Sequence, residues 1–288
     1  MASNTTTDRS VLVTGASTGI GEACAVELAR LGWRVFAGVR DDDSAKRLTQ
    51  LVPSRLVPVR LDVTDSAHIA AAADLIAREV GEAGLEGLVN NAGIVVPGPI
   101  EALPIAELRR QMEVNFFGSI AVTQAFLPLI RAATGRIVMM SSLNGRVAAP
   151  FLGPYAASKF ALEAASDALR VELRRWNIHV AIVEPGSVQT PIWAKSKSTA
   201  QRISDEATAE MREIYGQDID AMQRAATSLA DGARPVRPVV AAVVHALTAR
   251  RPKTRYPVGM DAKLAVTFVP LLPDRVGDWI IRRSLGLK

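Results

Sequence analysis

Three side chains in the middle of the sequence could together move a proton: Ser142, Tyr155 and Lys159. Tyr155 and Lys159 are four residues apart in a stretch whose apolar residues recur with helical spacing, so both side chains lie on one face of a predicted helix. A phenol has a pKa of about 10, so a tyrosine that works near neutral pH needs roughly 3 pKa units, or about 4 kcal/mol, of help for its phenolate. A lysine ammonium one helical turn away supplies part of that help in a dry cleft.

Ser142 stands thirteen residues before Tyr155, at the end of an apolar run over 136–140 that predicts a buried strand. Its hydroxyl therefore projects from the C-terminal end of a strand, the edge at which parallel α/β sheets bind ligands. A YxxxK pattern taken alone also fits a surface tyrosine lying over a lysine stem. Features elsewhere in the chain favour the catalytic interpretation.

A glycine-rich turn, TGASTGIG, joins a short apolar strand over 10–14 to a predicted helix over 20–31. Glycines at 15, 19 and 21 allow a tight turn, let the backbone approach a phosphate and point helix N-terminal amides at the anion. The turn therefore predicts a nucleotide pocket, and its place at the first strand strengthens that prediction.

The second predicted strand, 34–39, ends at Arg40 and lacks the acidic residue that would bond an adenosine ribose 2′-hydroxyl. An arginine at this position suits a 2′-phosphate, which favours NADP(H) as the cofactor. Three aspartates, 41–43, follow at once. They could neutralise Arg40 or hold a ribose, so NAD(H) stays compatible with the pattern, and a solvated charge run at the start of a helix is the structural alternative.

Three further segments end beside the expected cofactor. A third strand over 56–61 ends in Asp62 and Val63, and a fourth over 85–89 opens into NNAG, whose amides suit a loop that packs on the cofactor and ties adjacent strands together. A sixth strand over 178–183 ends in EPGSVQTPIW, where Pro185 and Gly186 break the strand and expose Val188 and Thr190 near the nicotinamide carboxamide. A long helix over 107–130 carries Asn115 among apolar neighbours, which predicts a kink and a bound water.

Alternating strands and helices predict an α/β fold: a single Rossmann-like doubly wound parallel sheet of about seven strands, with helices on both faces and a C-terminal helical extension. With 288 residues and 49% hydrophobic content, the chain can bury a full core as one domain. We expect a disordered arm over 1–9, a Rossmann-fold domain over 10–260 with a helical substrate lid at about 187–232, and an extension over 261–288.

Several classes of protein are disfavoured by composition. The three histidines match no ligand spacing, so no metal site is predicted, and the lone Cys24 lies in an apolar stretch where packing is favoured over a reactive thiol. The first nine residues lack the apolar core of a signal peptide, and the uncharged run over 114–130 contains four polar residues, which argues against export and against a membrane span. A cytoplasmic protein is expected.

The net charge of +5 arises in the tail, because residues 250–288 hold nine basic and three acidic side chains. Within the tail, residues 264–273 are uncharged, and Trp279, Ile280 and Ile281 precede two arginines. The favoured interpretation is a tail that folds over the substrate mouth or a subunit seam. The alternative is a basic amphipathic segment at an anionic membrane surface, which would make the protein peripheral. Nucleic acid is not expected as a partner, because the excess of basic residues is confined to one segment that contains no motif for recognising nucleic-acid bases.

The order of these motifs resembles the short-chain dehydrogenase/reductase family, in the branch with TGxxxGxG. The match runs from about 11 to 258 and comprises TGASTGIG, NNAG, Asn115, Ser142 with YAASK, and PGSVQT. The resemblance implies a catalytic tetrad of Asn115, Ser142, Tyr155 and Lys159. RYPVGMDAK and YAASKFALEA look closest to hydroxysteroid and retinol dehydrogenases.

The resemblance and the segments above together give the predicted cofactor-binding set. It comprises Gly15, Ser17, Gly19, Ile20, Arg40, Asp62, Val63, Asn91, Ala92, Gly93, Tyr155, Lys159, Pro185, Gly186, Val188 and Thr190.

The implied reaction is hydride transfer between nicotinamide and a secondary alcohol or ketone. Tyr155 would exchange the proton, Ser142 would place the substrate oxygen, Lys159 would acidify the tyrosine together with the cationic nicotinamide, and Asn115 would fix a relay water. Leu143, Phe151 and Trp193 are predicted to contact an apolar, steroid-, retinoid- or lipid-like substrate. The family's habit implies a homodimer or homotetramer. A catalytically silent dinucleotide-binding regulatory protein is the alternative function.

Overall fold

The computed structural model describes residues 9–206 and 208–287. Their strands form one parallel sheet of seven strands, as the sequence predicts. The strands are β1 (Ser10–Val13), β2 (Arg34–Val39), β3 (Leu56–Arg60), β4 (Gly87–Asn90), β5 (Arg136–Met140), β6 (His179–Pro185) and β7 (Arg255–Val258). Their order in the sheet is β3-β2-β1-β4-β5-β6-β7.

Helices connect the strands and extend beyond the last one. They are α1 (Gly19–Arg30), α2 (Asp42–Leu51), α3 (Ser66–Val80), α4 (Ile105–Met112), α5 (Gly118–Ala132), α6 (Gly153–Glu172), α7 (Ile192–Glu206), α8 (Ala209–Asp231), α9 (Arg237–Thr248), α10 (Met260–Phe268) and α11 (Asp274–Leu285).

The sheet separates two hydrophobic cores because alternate residues of a strand point to opposite faces. Val11 and Val13 of β1 pack with α1 and α9, whereas Leu12 packs with α3, α5 and α6. Every residue of β1 is buried, as expected for a strand covered on both sides. Cys24 lies in the first core, where burial raises the pKa of its thiol to about 12, so the packing interpretation of this residue is confirmed.

The order of the strands reverses beside β1, because β2 lies on one side of it and β4 on the other. In a parallel sheet this reversal leaves a crevice outside the carboxyl ends of the strands, where ligands bind. The glycine-rich turn follows β1, the NNAG segment follows β4, and Ser142 follows the neighbouring strand β5. The topology therefore brings the predicted motifs to one edge of the sheet.

The predicted kink at Asn115 is confirmed. A five-residue π-helical turn, Glu113–Phe117, separates α4 from α5, and Asn115 lies at its centre. The combined helix, Ile105–Ala132, has the length and apolar composition of a membrane span. Its polar side chains Ser119 and Thr123 are buried, however, and its apolar side chains pack beneath the sheet, so this is a core helix of the fold.

The segment predicted as a lid is helical, with α7 and α8 on either side of residue 207, and the tail forms α10 and α11. Single boundaries differ from the predictions: β4 begins two residues later than expected, and β6 continues through Pro185. The predicted arm over 1–9 lies outside the described residues except for Arg9, as do Ala207 in the lid and Lys288 at the end of the tail. The division into arm, domain and extension stays a prediction.

Candidate active site

The glycine-rich turn is held in a backbone shape that only glycine adopts freely. Gly15 and Gly19 have φ angles of 62° and 63°, in the left-handed region. A Cβ on Gly21 would lie 2.3 Å from the carbonyl oxygen of Gly15 and 2.4 Å from the Asn91 side-chain nitrogen. The turn and the start of α1 are thus packed too closely for any larger residue, and the backbone lines the crevice directly.

The NNAG segment ties β1 to β4, as the sequence predicts. The Asn91 side chain donates hydrogen bonds to the carbonyl oxygens of Thr14 (3.0 Å) and Gly15 (3.2 Å). The Thr14 hydroxyl in turn accepts from the backbone amides of Asn91 (2.9 Å) and Ala92 (3.0 Å). These bonds fix the floor of the crevice, and Gly93 continues from it towards the catalytic groups, since a Cβ there would lie 3.7 Å from the Lys159 amine.

Ser142, Tyr155 and Lys159 come together at the end of β5. Pro154 begins the first turn of α6, which then carries Tyr155 and Lys159 on one face. The Lys159 side chain is buried, and its Nζ donates to the carbonyl oxygen of Met140 at 2.8 Å. This nitrogen lies 5.9 Å from the centre of the Tyr155 ring, and the Ser142 hydroxyl is hydrogen-bonded to the Tyr155 side chain. The predicted grouping of hydroxyl, phenol and amine is therefore present.

The acidity of Tyr155 differs from the sequence-based expectation. Burial raises the pKa of the phenol, and the hydrogen bond from Ser142 only partly opposes that effect. Burial also lowers the pKa of Lys159 to about 8, with the carboxylate of Glu163 acting in the opposite direction. The expectation that Lys159 acidifies the tyrosine together with a cationic nicotinamide stays a prediction, because in the protein without ligand the burial that brings the two groups together disfavours charge on both.

Asn115 is completely buried, and both of its side-chain atoms are satisfied. Its Oδ1 accepts from the Ile94 amide at 2.8 Å, and its Nδ2 donates to the Ile94 carbonyl (3.1 Å) and to the Ser158 hydroxyl (3.0 Å). Ser158 in turn donates to the carbonyl oxygen of Tyr155 at 2.7 Å. Asn115 therefore joins the loop after β4 to the catalytic turn of α6.

Charged side chains gather at the other end of the crevice, after β2. Arg40 is exposed, and its positive charge contributes to a lowered pKa of Asp62, whose carboxylate also accepts from the Thr64 amide (3.0 Å) and hydroxyl (2.8 Å). Asp41 does not bond Arg40; it caps α2 by accepting from the Ser44 amide at 2.7 Å. The arginine is therefore available to a ligand.

A second arginine, Arg47, was not anticipated from the sequence. Both of its terminal nitrogens lie 2.9 Å from the Glu22 carboxylate, and one also donates to the Ser17 carbonyl oxygen. This bridge joins α2 to the glycine-rich turn. No spacing in the sequence signals this pair, because Glu22 lies 25 residues before Arg47.

The loop after β6 closes over the turn. Thr190 lies against Gly19, because a Cβ added to Gly19 would come within 3.2 Å of the threonine Cβ. Val188 is buried. Asp261 of α10 accepts from the Ser187 amide at 3.1 Å, and a Cβ on Gly186 would meet the same carboxylate at 2.1 Å. Sequence reasoning missed Asp261, which fixes this loop from the tail.

The predicted substrate residues lie beside Ser142 or in contact with the segment predicted as a lid, and their contact with a substrate stays a prediction. Leu143 follows Ser142 in a short 3₁₀ turn, Phe151 has a left-handed φ of 63°, and its ring meets the ring of Tyr215 of α8 edge to face at 6.3 Å. The indole of Trp193, on α7, donates to the Val188 carbonyl at 2.8 Å. These contacts join the lid to the loops around the catalytic groups.

The remaining predicted cofactor contacts have consistent positions. Ile20 starts α1, Val63 packs so tightly on Gly118 that a Cβ there would lie 2.7 Å away, and Pro185 ends β6. The crevice is lined by glycine backbone, with a free arginine at one end and a buried lysine at the other. These features fit the phosphates and the nicotinamide ring of a dinucleotide. Among the described residues there is no group of three His, Cys, Asp or Glu side chains suited to a metal ion.

Comparison with known proteins gives the same picture. The sequence model of the short chain dehydrogenase family matches residues 9–201. An NADPH-dependent 3-dehydrocapnine reductase of Ornithobacterium rhinotracheale is 36% identical over 96% of this chain and 97% of its own length. The 17-beta-hydroxysteroid dehydrogenase type 6 of Bos taurus is 40% identical (96% and 89%), and retinol dehydrogenase 16 of Mus musculus is 39% identical (95% and 88%).

A solved structure extends the likeness to the fold and to a bound cofactor. A short chain dehydrogenase from Burkholderia cenocepacia in complex with NADP superposes with a TM-score of 0.71 at 26% identity, over 96% of this chain and 97% of that one. The predicted resemblance to the family is thereby confirmed, and so is the closer likeness to hydroxysteroid and retinol dehydrogenases.

Proposed function

The chain belongs to the short-chain dehydrogenase/reductase family, and from that premise we propose that it moves a hydride between NADP(H) and an apolar secondary alcohol or ketone, with Asn115, Ser142, Tyr155 and Lys159 as its catalytic residues. The chain is an NAD(P)-dependent oxidoreductase acting on CH–OH groups. The observation that carries the proposal is the meeting of Ser142, Tyr155 and Lys159 at the end of β5, on the edge of the sheet that also carries the glycine-rich turn. Nothing in the comparisons favours the catalytically silent alternative.

The protein's own groups handle the proton and the orientation of the substrate. When bound, the nicotinamide supplies or accepts the hydride. Ser142 binds the substrate oxygen and holds it beside the phenol, and Tyr155 gives or takes the proton at that oxygen. Because burial opposes the phenolate in the free protein, Tyr155 becomes a competent base only when positive charge is added to that of Lys159.

Asn115 supports this arrangement from the opposite side of α6. Its bonds to Ile94 and Ser158 leave its side chain no freedom, and the π turn places it between two helices. We assign Asn115 the role of holding the catalytic turn of α6. We also propose that it fixes a relay water at the π turn, where the regular helical hydrogen bonds are interrupted. Replacement by alanine would leave the Ile94 amide without its buried acceptor, whereas the Ile94 carbonyl oxygen would keep the bond that it accepts from Gln111.

The adenosine end supports NADP(H) over NAD(H). Arg40 is exposed and free of its aspartate neighbour, so it can meet a 2′-phosphate with a fork of donors. The relative named as NADPH-dependent and the neighbour solved with NADP point the same way. NAD(H) remains usable, because Asp62 and Ser17 offer the polar groups that a ribose needs.

The substrate side supports an apolar alcohol or ketone. Leu143 follows Ser142, Phe151 contacts Tyr215 of the lid, and Trp193 is part of the lid itself. Ile203 of α7 packs with the apolar residues Val96 and Leu103. The steroid and retinol names of the relatives fit such a pocket. The finer identity of the substrate is a proposal that a screen must fix.

Oligomerisation is supported by an unpartnered face of α6. The face consists of exposed apolar residues at helical spacing: Ala157, Phe160, Ala164, Ala168 and Val171. Phe117 is exposed as well, at the junction of α4 and α5. We propose that this face pairs with its copy in a homodimer or homotetramer. Light scattering of the purified protein tests this, with Phe160→Glu expected to give monomers and Phe268→Glu, on the tail, expected to leave the assembly unchanged.

The tail supports the prediction of a cover over the substrate mouth. Its helix α11 packs against the lid helix α8, and α10 packs against β7 and the turn after Ser142. Phe268, Leu271 and Trp279 nevertheless stay exposed beside basic residues, which keeps the membrane-surface alternative testable. Sedimentation with acidic liposomes, with and without residues 262–288, decides: binding that disappears with the tail favours the membrane. A cytoplasmic location stays a prediction.

The central experiment is a cofactor titration followed by a substrate screen. NADPH should bind more tightly than NADH, and a panel of steroid, retinoid and acyl ketones should then be assayed with the better cofactor. Turnover of at least one apolar ketone, lost in Tyr155→Phe with NADPH binding retained, supports the proposal. Equal turnover by Tyr155→Phe overturns the assignment of the catalytic residues.

A further inference from the structure

Behind the catalytic groups lies a buried cluster of charge that the proposed reaction does not use. Glu163 is one helical turn beyond Lys159 on the same face of α6, and Glu184 lies next to the end of β6. Their side chains are only 6% and 1% exposed. Carboxylates are almost never buried to this degree unless they are paired or hold a proton.

The cations around these two carboxyls are too few and too distant to neutralise both. Arg255 approaches Glu163 at 3.0 Å but Glu184 only at 3.8 Å, and it also bonds Asp167 at 2.7 Å. Arg146 reaches Glu184 at 3.8 Å. Both oxygens of Glu163 and one oxygen of Glu184 make no regular hydrogen bond in the described structure.

The electrostatics of the cluster agree with this geometry. Burial raises the pKa of both carboxyls, and that of Glu184 reaches about 7 because the charge of Glu163 adds to the burial. Arg255 and Arg146 favour a charged Glu163, whereas Asp167 opposes it. Two carboxyls close enough to repel each other titrate as a pair, so the second ionises only near neutral pH.

We propose that Glu163 and Glu184 form a buried carboxyl pair that carries one shared negative charge at working pH, and that this charge holds the Lys159 amine in its protonated form. The two are positioning residues, since they act through Lys159. The charge is needed because Lys159 is itself buried and has only a neutral carbonyl oxygen as its hydrogen-bond partner among the described residues. The part that concerns Lys159 rests on the proposed function, whereas the shared proton does not.

The shared proton is tested on the free protein by unfolding. A carboxyl whose pKa is raised in the folded state binds a proton there that the unfolded chain has lost, so stability falls as pH rises through the window from its ordinary value of 4.5 to about 7. Urea unfolding between about pH 5 and pH 8 should therefore show a steeper fall for the wild type than for Glu184→Gln. The same slope in both proteins overturns the pair.

The effect on Lys159 is tested by the pH profile of kcat/KM with NADPH and a ketone found in the screen. In Glu163→Gln or Glu184→Gln the remaining carboxyl loses its repelling neighbour, ionises and keeps the charge, so the alkaline limb should move by less than about half a pH unit. In the double variant the charge is gone. Lys159 then loses its proton at lower pH, and the limb should move down by about one unit, roughly a tenfold loss at a pH on that limb.

A matched control is Asp167→Asn, which removes a carboxylate from the same arginine but at the solvent-exposed edge of the cluster, where water screens it. Because its charge is the weakest contribution to the pKa of either carboxyl, it should change the unfolding slope less than Glu184→Gln does and the pH limb less than the double variant does. An unmoved limb in a folded double variant, or additive shifts in the single variants, overturns the proposal for Lys159. If the double variant does not fold, the unfolding slope of Glu184→Gln still decides whether the proton is shared. A protein without turnover would refute the proposed function and leave the unfolding result standing.

Discussion

The half of the molecule around β1 and β4 is built differently from the lid and the tail. Around the glycine-rich turn, backbone and side-chain amides bond each other across strands, and added atoms would collide at less than 3 Å. The lid helix α8 buries one residue, Ala221, among the 23 it contains, and the tail helices α10 and α11 bury one each. The rigid half fixes where chemistry occurs, whereas the loosely packed half can change shape around different substrates.

This contrast predicts that changes in the rigid half cost far more than changes in the lid. The largest effect is expected at Tyr155. Tyr155→Phe keeps the ring and its packing but removes the proton donor, so kcat/KM should fall by about 10³-fold or more, while NADPH binding measured by fluorescence stays within about twofold. Steady-state kinetics with an apolar ketone measures the loss. A variant that loses turnover and cofactor binding together would mean that the phenol is structural.

A matched pair of glycines tests the contrast directly. Gly21→Ala places a Cβ 2.3 Å from a backbone oxygen, so the free energy of unfolding should fall by about 2 kcal/mol or more. Gly216→Ala, within α8, meets nothing within 4 Å and should raise stability by about 0.5–1 kcal/mol, because alanine is the better helix former. Urea unfolding of both variants measures the difference. Equal effects at the two positions would contradict the difference in packing.

The charged end of the crevice should show a cofactor-selective effect. Arg40→Ala removes the free guanidinium, so the Kd for NADPH should rise about tenfold and the Kd for NADH should hardly change. Arg30→Ala, an equal loss of charge at the far end of α1, serves as the control. Isothermal titration with both dinucleotides checks the prediction. A parallel loss for NADPH and NADH would assign Arg40 a structural role.

The smallest effect is expected in the lid. Tyr215→Phe removes the hydroxyl that binds Glu101 but keeps the ring against Phe151, so KM for an apolar ketone should change about two- to fivefold while the Kd for NADPH stays constant. The exposed neighbour Ile214→Ala should leave both values unchanged. Initial-rate kinetics separates the two. A change in NADPH affinity would mean that the lid and the rigid half are coupled more tightly than their contacts indicate.

The sequence predicted the rigid half well because its constraints are local. A left-handed glycine, an asparagine inside an apolar helix and a strand end leave clear marks within a few residues, and the π turn at Asn115 and the bonds of Asn91 followed from them. The predicted roles of the individual site residues remain to be tested by mutation.

Features that depend on distant pairs were missed. Arg47 with Glu22, Asp261 with Ser187, and Glu163 with Glu184 each join segments whose spacing carries no signal. The raised pKa of Tyr155 in the protein without ligand could not be predicted from the sequence for a related reason. Spacing gives the neighbour of a group, whereas burial, which decides the sign here, depends on the whole fold.

The bond from Asp261 to the Ser187 amide has a consequence for how the protein is made. The ribosome synthesises the glycine-rich turn and the catalytic helix long before residue 261. Those parts can therefore collapse early, while the loop after β6 still lacks its bond to Asp261. We expect a nascent chain to acquire its adenosine end first and its complete nicotinamide end only when translation is nearly finished. Termination just before residue 261 would then leave the loop after β6 without its bond to Asp261.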